Sequence, residues 1–261
     1  MPLLATIGMA AHAAAPVQLE ALTSTELRDR IAAGTTTVLI PIGGTEQNGP
    51  HMVLGKHNVR VLQLAGLIAE RLGDAVVAPV LAYVPEGAID PPTQHMRFAG
   101  TISIPEPVFE ATLVAAVQSL RRHGLCEVYF LGDHGGYRKS LDRAVVTLDR
   151  ATKLAAAGRP ACKAHALPEY YRSASADFDA RLRSEGHTAA EIGTHAGLAD
   201  TALAMAVDPA LVRSAALATV PVPGSGVSGD PRRATAAIGK PGIEHIVDAS
   251  VAAIEADRKR R

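Results

Sequence analysis

The sequence predicts a single α/β domain in which a mostly parallel sheet lies between two layers of helices. Three observations lead there. Several short runs stay apolar at every position, as strands covered on both faces do. Longer runs between them carry apolar residues at helical spacing. The two kinds alternate through most of a 261-residue chain, long enough to bury a large core, without a repeat or a linker-like break.

Taken in order, MPLLATIGMAAHAAAPVQ (residues 1–18) is a short apolar run ending in small residues. Ala11-His12-Ala13 and Ala13-Ala14-Ala15 are both shaped like signal-peptidase sites. The run is too short to span a bilayer and no basic segment precedes it. It reads as a truncated signal peptide or a leader, with export to a bacterial periplasm expected and the cytoplasm as the alternative. Residues 19–261 then form the one domain. Thr23 and Glu26 make a capping box ahead of a short helix closed by Gly34. TTTVLIPIGG is a buried strand, NVRVLQLAGLIAERLG a helix, AVVAPVLAYV a second strand and EPVFEATLVAAVQSLRRHG a second long helix. CEVYFLGDHGG is a third strand running into a glycine turn, YRKSLDRAVVTLDRATKLAAAG a helix, and ACKAHALPEYY a fourth strand. HAGLADTALAMAVDPALV reads as a core helix, PVPGSGVSGDPRRAT as a loop and GIEHIVDASVAAIEADRKRR as an amphipathic C-terminal helix.

Composition narrows the partners. Lys plus Arg and Asp plus Glu both total 26, so no net field draws the chain to nucleic acid or to an anionic membrane. A small molecule or another copy of the chain is expected instead. Cys126 and Cys162 sit in strand-like segments and read as buried free thiols.

The chemistry gathers after strands. Glu46, Asn48, His51 and His57 follow the first strand, and His134 follows the third. Parallel strands bring their C-terminal ends to one edge, where ligands bind. Two imidazoles and a carboxylate suit an open zinc site with a water in its fourth position. The competing reading has His57 at a helix start and His134 hydrogen-bonded within its turn.

PIGGTEQNGPHMVLGKHN, QHMRFAGTISI, GDHGG, HAGLADTALAMAVDP and GVSGDPRRAT resemble, in order, the successive motifs of the creatininase family, also called creatinine amidohydrolases. The resemblance covers about Thr35 to Gly239. It implies a three-layer α/β/α fold, assembly into hexamers, and metal-activated water that opens cyclic amides or cleaves formamides; some members trim peptides during cofactor maturation. Glu46 and His134 match the Glu and the later His that hold the family's first metal. Asn48 replaces a His that holds a second metal, His57 replaces the Asp that bridges the two, and Gly136 stands where some relatives carry a further carboxylate. An amide is a poor zinc ligand and a neutral imidazole cannot bridge two ions. The expectation is therefore one divalent metal, zinc before manganese or iron, held by Glu46, His57 and His134.

His195 resembles the family's proton donor to the leaving nitrogen. Asp200, in place of a Glu, is expected to orient it or to add a ligand. Asn48, Gly135 and Gly136 are expected on the substrate side, the glycines for close backbone approach. His51 and His95 are read as structural or substrate-facing. Asp133 is read as an acceptor for a ligating imidazole, and Arg97, Tyr137 and Arg138 as residues that can meet an anionic substrate. Creatinine itself is disfavoured, because its hydrolysing relatives cover it with tryptophan and this chain has none. The function expected is hydrolysis of a cyclic or small linear amide. The alternatives are a catalytically silent small-molecule binder, or a lactone hydrolase or lyase using the same site.

Overall fold

The computed structural model describes residues 16–154, 162–220 and 222–260; most of the expected leader, up to residue 15, lies outside them. Four strands form one parallel sheet. β1 (Thr37–Ile42) has β2 (Ala75–Val77) on one side and β3 (Glu127–Gly132) on the other, with β4 (Lys163–Ala166) outside β3. β1 and β3 pair along their whole length, from Thr37 opposite Glu127 to Ile42 opposite Gly132. Val17 and Gln18, at the end of the expected leader, pair with Val77 of β2.

Helix α1 (Ser24–Ala32) precedes β1, and α2 (Lys56–Leu72), α3 (Glu106–Arg122) and α4 (Arg138–Leu154) connect the strands in turn. After β4 come α5 (Pro168–Arg172), a π-helical turn (Ser173–Asp177), α6 (Phe178–Ser184), α7 (Ala189–Ile192), α8 (Leu198–Val207), α9 (Ser214–Leu217) and α10 (Ala236–Lys259). No helix among the described residues is long and apolar enough to cross a membrane.

Strand side chains alternate between faces, and here both faces are covered. Val38, Ile40, Val128 and Phe130 pack with Phe109, Leu113 and Val117 of α3 and with Leu141 and Leu148 of α4. Leu39, Val77, Tyr129 and Leu131 pack instead with Leu64 and Ile68 of α2, Leu203 of α8 and Ile246 of α10. The fold is the expected three-layer α/β/α sandwich with a parallel central sheet.

Three local expectations are corrected. β2 ends at Val77 instead of running to residue 84; Pro79 removes a donor just beyond it, and only Leu81 renews contact with β1, at Ile42. The segment after β4 turns helical at Pro168, whose fixed φ suits a first helical position. Cys126 and Cys162 are neither free nor fully buried. The β3–β4 register sets Glu127 opposite Lys163, so the residues just before them meet, and the two sulfurs are bonded.

Small residues let α10 approach α8 closely. A Cβ at Gly239 would lie 2.0 Å from the Ala202 carbonyl oxygen, and one at Gly242 would lie 2.7 Å from the Phe178 ring and 2.8 Å from Leu203. Gly239→Ala is therefore expected to cost about 1–3 kcal/mol, the usual range for overpacking, despite alanine's better helix propensity. A urea midpoint equal to or above that of the parent chain would show that the helices can shift freely here.

Candidate active site

Three connections meet at the C-terminal edge of the sheet. β1 leads into residues 43–55, β3 into the turn at 133–137, and β2 into residues 78–105, which hold only one short 3₁₀ turn, Gln94–Arg97. From β1 the chain proceeds to neighbours on opposite sides, and such a switch of direction opens a crevice in parallel sheets.

The loop after β1 holds Glu46 by its backbone. The Glu46 N–H donates to the Leu54 carbonyl at 3.1 Å, and the Asn48 amide donates to the carbonyls of Glu46 and Val53 at 3.0 Å each. Asn48 is fully buried and braces the loop, so it does not face a substrate as expected. Gly44 (φ 151°) is required here: a Cβ would lie 2.4 Å from Glu86 Oε1.

Glu46 is itself fully buried. Its Oε2 lies 3.2 Å from His95 Nε2 and 3.5 Å from His134 Nε2, yet accepts no hydrogen bond. Glu86, also buried, points a carboxylate at the same place, with Oε2 3.7 Å from His134 Nδ1 and neither oxygen bonded. One donor atom from each of Glu46, Glu86, His95 and His134 lies within 4.8 Å of the others. Burial, and then the Glu46 charge, push Glu86 up to about 9. Burial also holds His134 down at about 3, against the pull of Glu46. The His134 imidazole is thus neutral, the form that ligates metals. Raised this far, Glu86 carries a proton beside the Glu46 carboxylate until a cation takes that proton's place, and two carboxylates with two imidazoles are a donor set suited to a divalent transition metal. The residues present fit one such ion.

His57 is not in this set, contrary to expectation. Its Nε2 contacts Glu46 Oε1 at 2.9 Å and its Nδ1 contacts Asp133 Oδ2 at 2.6 Å, so both ring nitrogens are engaged by carboxylates. Burial and the Lys56 charge oppose protonation, but the bonds to Asp133 and Glu46 outweigh them and raise His57 above the usual imidazole value. The ring thus links the two acids and leaves neither nitrogen open. Asp133 does accept from an imidazole, as expected, though not from a ligating one. It also accepts from Arg60 Nε at 2.9 Å and from the Tyr170 hydroxyl at 2.8 Å.

Beside this network, Lys56 Nζ lies 2.8 Å from Asp200 Oδ2 and 3.9 Å from Glu46 Oε1. Asp200 also accepts from the Ala196 N–H at 2.9 Å and faces Arg60 at 3.4 Å. Burial works the other way, but Lys56 and Arg60 hold Asp200 well below the usual carboxylate range. Asp200 anchors these cations and does not touch the His195 ring through a hydrogen bond. His195 Nε2 is 2.9 Å from the Gln47 carbonyl, which fixes the proton on Nε2 and leaves Nδ1 open, 3.8 Å from Glu46 Oε1. Burial, and then Lys56, lower His195 to about 4.

These groups open onto a pocket of about 450 Å³, lined among others by His95, His134, Gly135, Tyr171, Ser175 and His195. Gly135 is on its wall as expected, and a Cβ there would meet the Tyr171 hydroxyl at 2.6 Å. Gly136 instead donates its N–H to His134 Nδ1 at 3.2 Å. Tyr137 is buried and accepts from the N–H groups of Asp133 and His134, so it shapes the turn and meets no substrate. Arg97 is exposed, Arg138 sits over the Tyr171 ring, and His51 is buried against Thr201. The pattern reading missed Glu86 and gave His95 no ligand role. The one signal for Glu86 was an acid between Pro85 and Gly87 directly after an apolar run.

Fold and cluster together define a parallel α/β protein with a candidate metal centre at its strand ends. The family model described as creatinine amidohydrolase matches residues 20–254, and the chain belongs to the creatininase family. It is 34% identical over 142 residues to the mycofactocin precursor peptide peptidase of Mycolicibacterium smegmatis, a match covering 52% of this chain and 53%, about half, of that relative. It is 29% identical over 192 residues to the creatinine amidohydrolase of Pseudomonas putida, covering 73% and 72% of the two chains. Among solved structures it resembles creatinine amidohydrolase with a TM-score of 0.77, 26% identity and coverage of 93% of this chain and 98% of the other. A creatininase described with Mn gives 0.77 at 25% identity, covering 93% and 99%.

Proposed function

We propose that this creatininase-family protein hydrolyses the C–N bond of a cyclic or small linear amide, using a single divalent metal. The observation that carries the reading is the meeting of Glu46 Oε2 and the Glu86 carboxyl with His95 and His134, two imidazoles that also line the pocket. A divalent metal held by these four residues, zinc or manganese, supplies a water of lowered pKa and a polarised carbonyl. The chain's own residues do the rest. His195 presents an open Nδ1 toward Glu46 and stays neutral at working pH, so it accepts a proton there and returns it to the departing nitrogen. Gly135 and Tyr171 bound the space for the acyl part. A volume of about 450 Å³ accommodates a small molecule or the end of a short peptide.

A single ion fits better than two. Asn48 spends its amide on backbone carbonyls, the His57 ring is taken up by two carboxylates, and Gly136 has no side chain to offer. We further assign the chain to a homo-oligomer, hexameric as the resemblance implies, and to the periplasm. Exposed Tyr83 and Ile89 support the first, and the Cys126–Cys162 disulfide supports an oxidising compartment.

The test is metal analysis joined to product analysis. The chain saturated with Zn²⁺ or Mn²⁺ and desalted is expected to keep one equivalent. It is also expected to hydrolyse members of a panel of lactams, formamides and short peptides, with one solvent oxygen from labelled water in the acid product. A chain that retains no metal yet binds members of the panel unchanged would instead be a silent binder.

A further inference from the structure

We infer that Lys56 is the positioning residue that holds this site to one divalent cation, its buried ammonium serving as a fixed positive charge on the opposite side of Glu46. The inference rests on the single-metal reading above. Glu46 divides its two oxygens: Oε2 faces His95 and His134, while Oε1 faces His57 and, at 3.9 Å, Lys56 Nζ. Nothing about local structure favours a lysine here. It is the first residue of α2, where the helix dipole disfavours a cation, and it is 1% exposed, where an ammonium is tolerated only when paired. Its partner is Asp200, at 2.8 Å.

Two acids flank the ammonium: Asp200 Oδ2 at 2.8 Å and Glu46 Oε1 at 3.9 Å, the latter also 3.8 Å from the open Nδ1 of His195. Two carboxylate oxygens are donors that a divalent ion accepts, and here the ammonium faces both. At such distances in a low-dielectric interior, a fixed charge strongly repels a second cation. The same charge also bears on Glu46, His57, His134 and His195, which ties Lys56 to the whole cluster. Lys56 is not on the pocket wall, so it acts through Glu46 and Asp200 and not on substrate.

Metal stoichiometry tests this, by titration calorimetry and elemental analysis with Mn²⁺ or Zn²⁺ on the full chain. The parent is expected to bind one equivalent. Lys56→Ala, which removes both charge and bulk, is expected to bind two, and its Mn²⁺ form to show the spin-coupled EPR signal of a pair. Lys56→Met keeps the bulk without the charge and is expected to bind one, about tenfold or more tighter than the parent, on the scale of partners that tune a ligand. Folded Lys56→Ala that still binds one equivalent, with Lys56→Met unchanged in affinity, overturns the role of Lys56 and leaves the single-metal reading standing. A parent chain that binds two equivalents, or none, overturns that reading and the inference with it. Failure of both variants to fold would make Lys56 a counter-charge for Asp200 in the core, and the inference would fall.

Discussion

Glu46→Gln and His134→Ala are expected to lose stoichiometric metal, with kcat/KM for the best amide substrate falling well beyond the 10- to 100-fold that removing a supporting partner of a ligand typically costs, about 1.4 kcal/mol for each factor of ten. The reason is that each would remove one of the four proposed donor atoms and leave the other three without it. Glu46→Gln preserves shape while deleting the charge that both His95 and His134 face. The informative comparison is with two further variants. Glu86→Gln is expected to weaken the metal as severely as His134→Ala, because Glu86 is buried with its carboxyl turned to Glu46 and His134. His57→Gln is expected to weaken it only by roughly 10- to 100-fold, because His57 orients Glu46 without contributing a lone pair. Metal content and kcat/KM, measured on variants whose circular dichroism matches the parent, check the ranking. The reverse ranking, with His57→Gln ruinous and Glu86→Gln mild, would restore the ligand set Glu46, His57 and His134 and dismiss the geometry described above.

That contrast marks how far the sequence reaches. β1, β3 and the helices α2, α3, α4, α8 and α10 are legible because their periodicity reports which faces are buried, and both faces of this sheet are. Glu46 and His134 are legible because each directly follows a strand whose end must lie at one edge. Glu86 and His95 come instead from residues 78–105, a long connection with little regular structure, where no period places a side chain. The His57 position illustrates a subtler limit. Residue type and spacing identify it as a donor, but whether its lone pairs are free depends on Asp133, 76 residues away and bonded to the other side of the ring. The disulfide fails for the same reason: Cys126 and Cys162 become neighbours only through the β3–β4 register.

Asp133→Ala is expected to destabilise the fold by about 3–5 kcal/mol, the scale of breaking a buried ion pair from one side, out of a total that rarely exceeds about 15 kcal/mol. Asp133 is 2% exposed and sits just past β3, where it accepts from His57 and Arg60 of α2 and from Tyr170 of α5. Burial alone would raise its pKa, but Arg60 and His57 lower it, so the carboxylate is ionised where it joins two helices to the strand end. Without it, the Arg60 guanidinium, 3% exposed, keeps Asp200 at 3.4 Å as its carboxylate and the His57 ring at 3.3 Å, and the His57 Nδ1 and the Tyr170 hydroxyl lose their acceptor. Tyr170→Phe is the graded companion: it removes one donor from an acceptor that retains two others, and about 1 kcal/mol is expected. Urea unfolding with unchanged m-values reads both losses as stability. If Asp133→Ala cost no more than the roughly 0–1 kcal/mol of an exposed pair, water would have to reach Arg60 in the variant. The hold of α2 on the strand end would then rest on apolar packing alone, and the carboxylate would owe its place to the orientation of His57 beside Glu46.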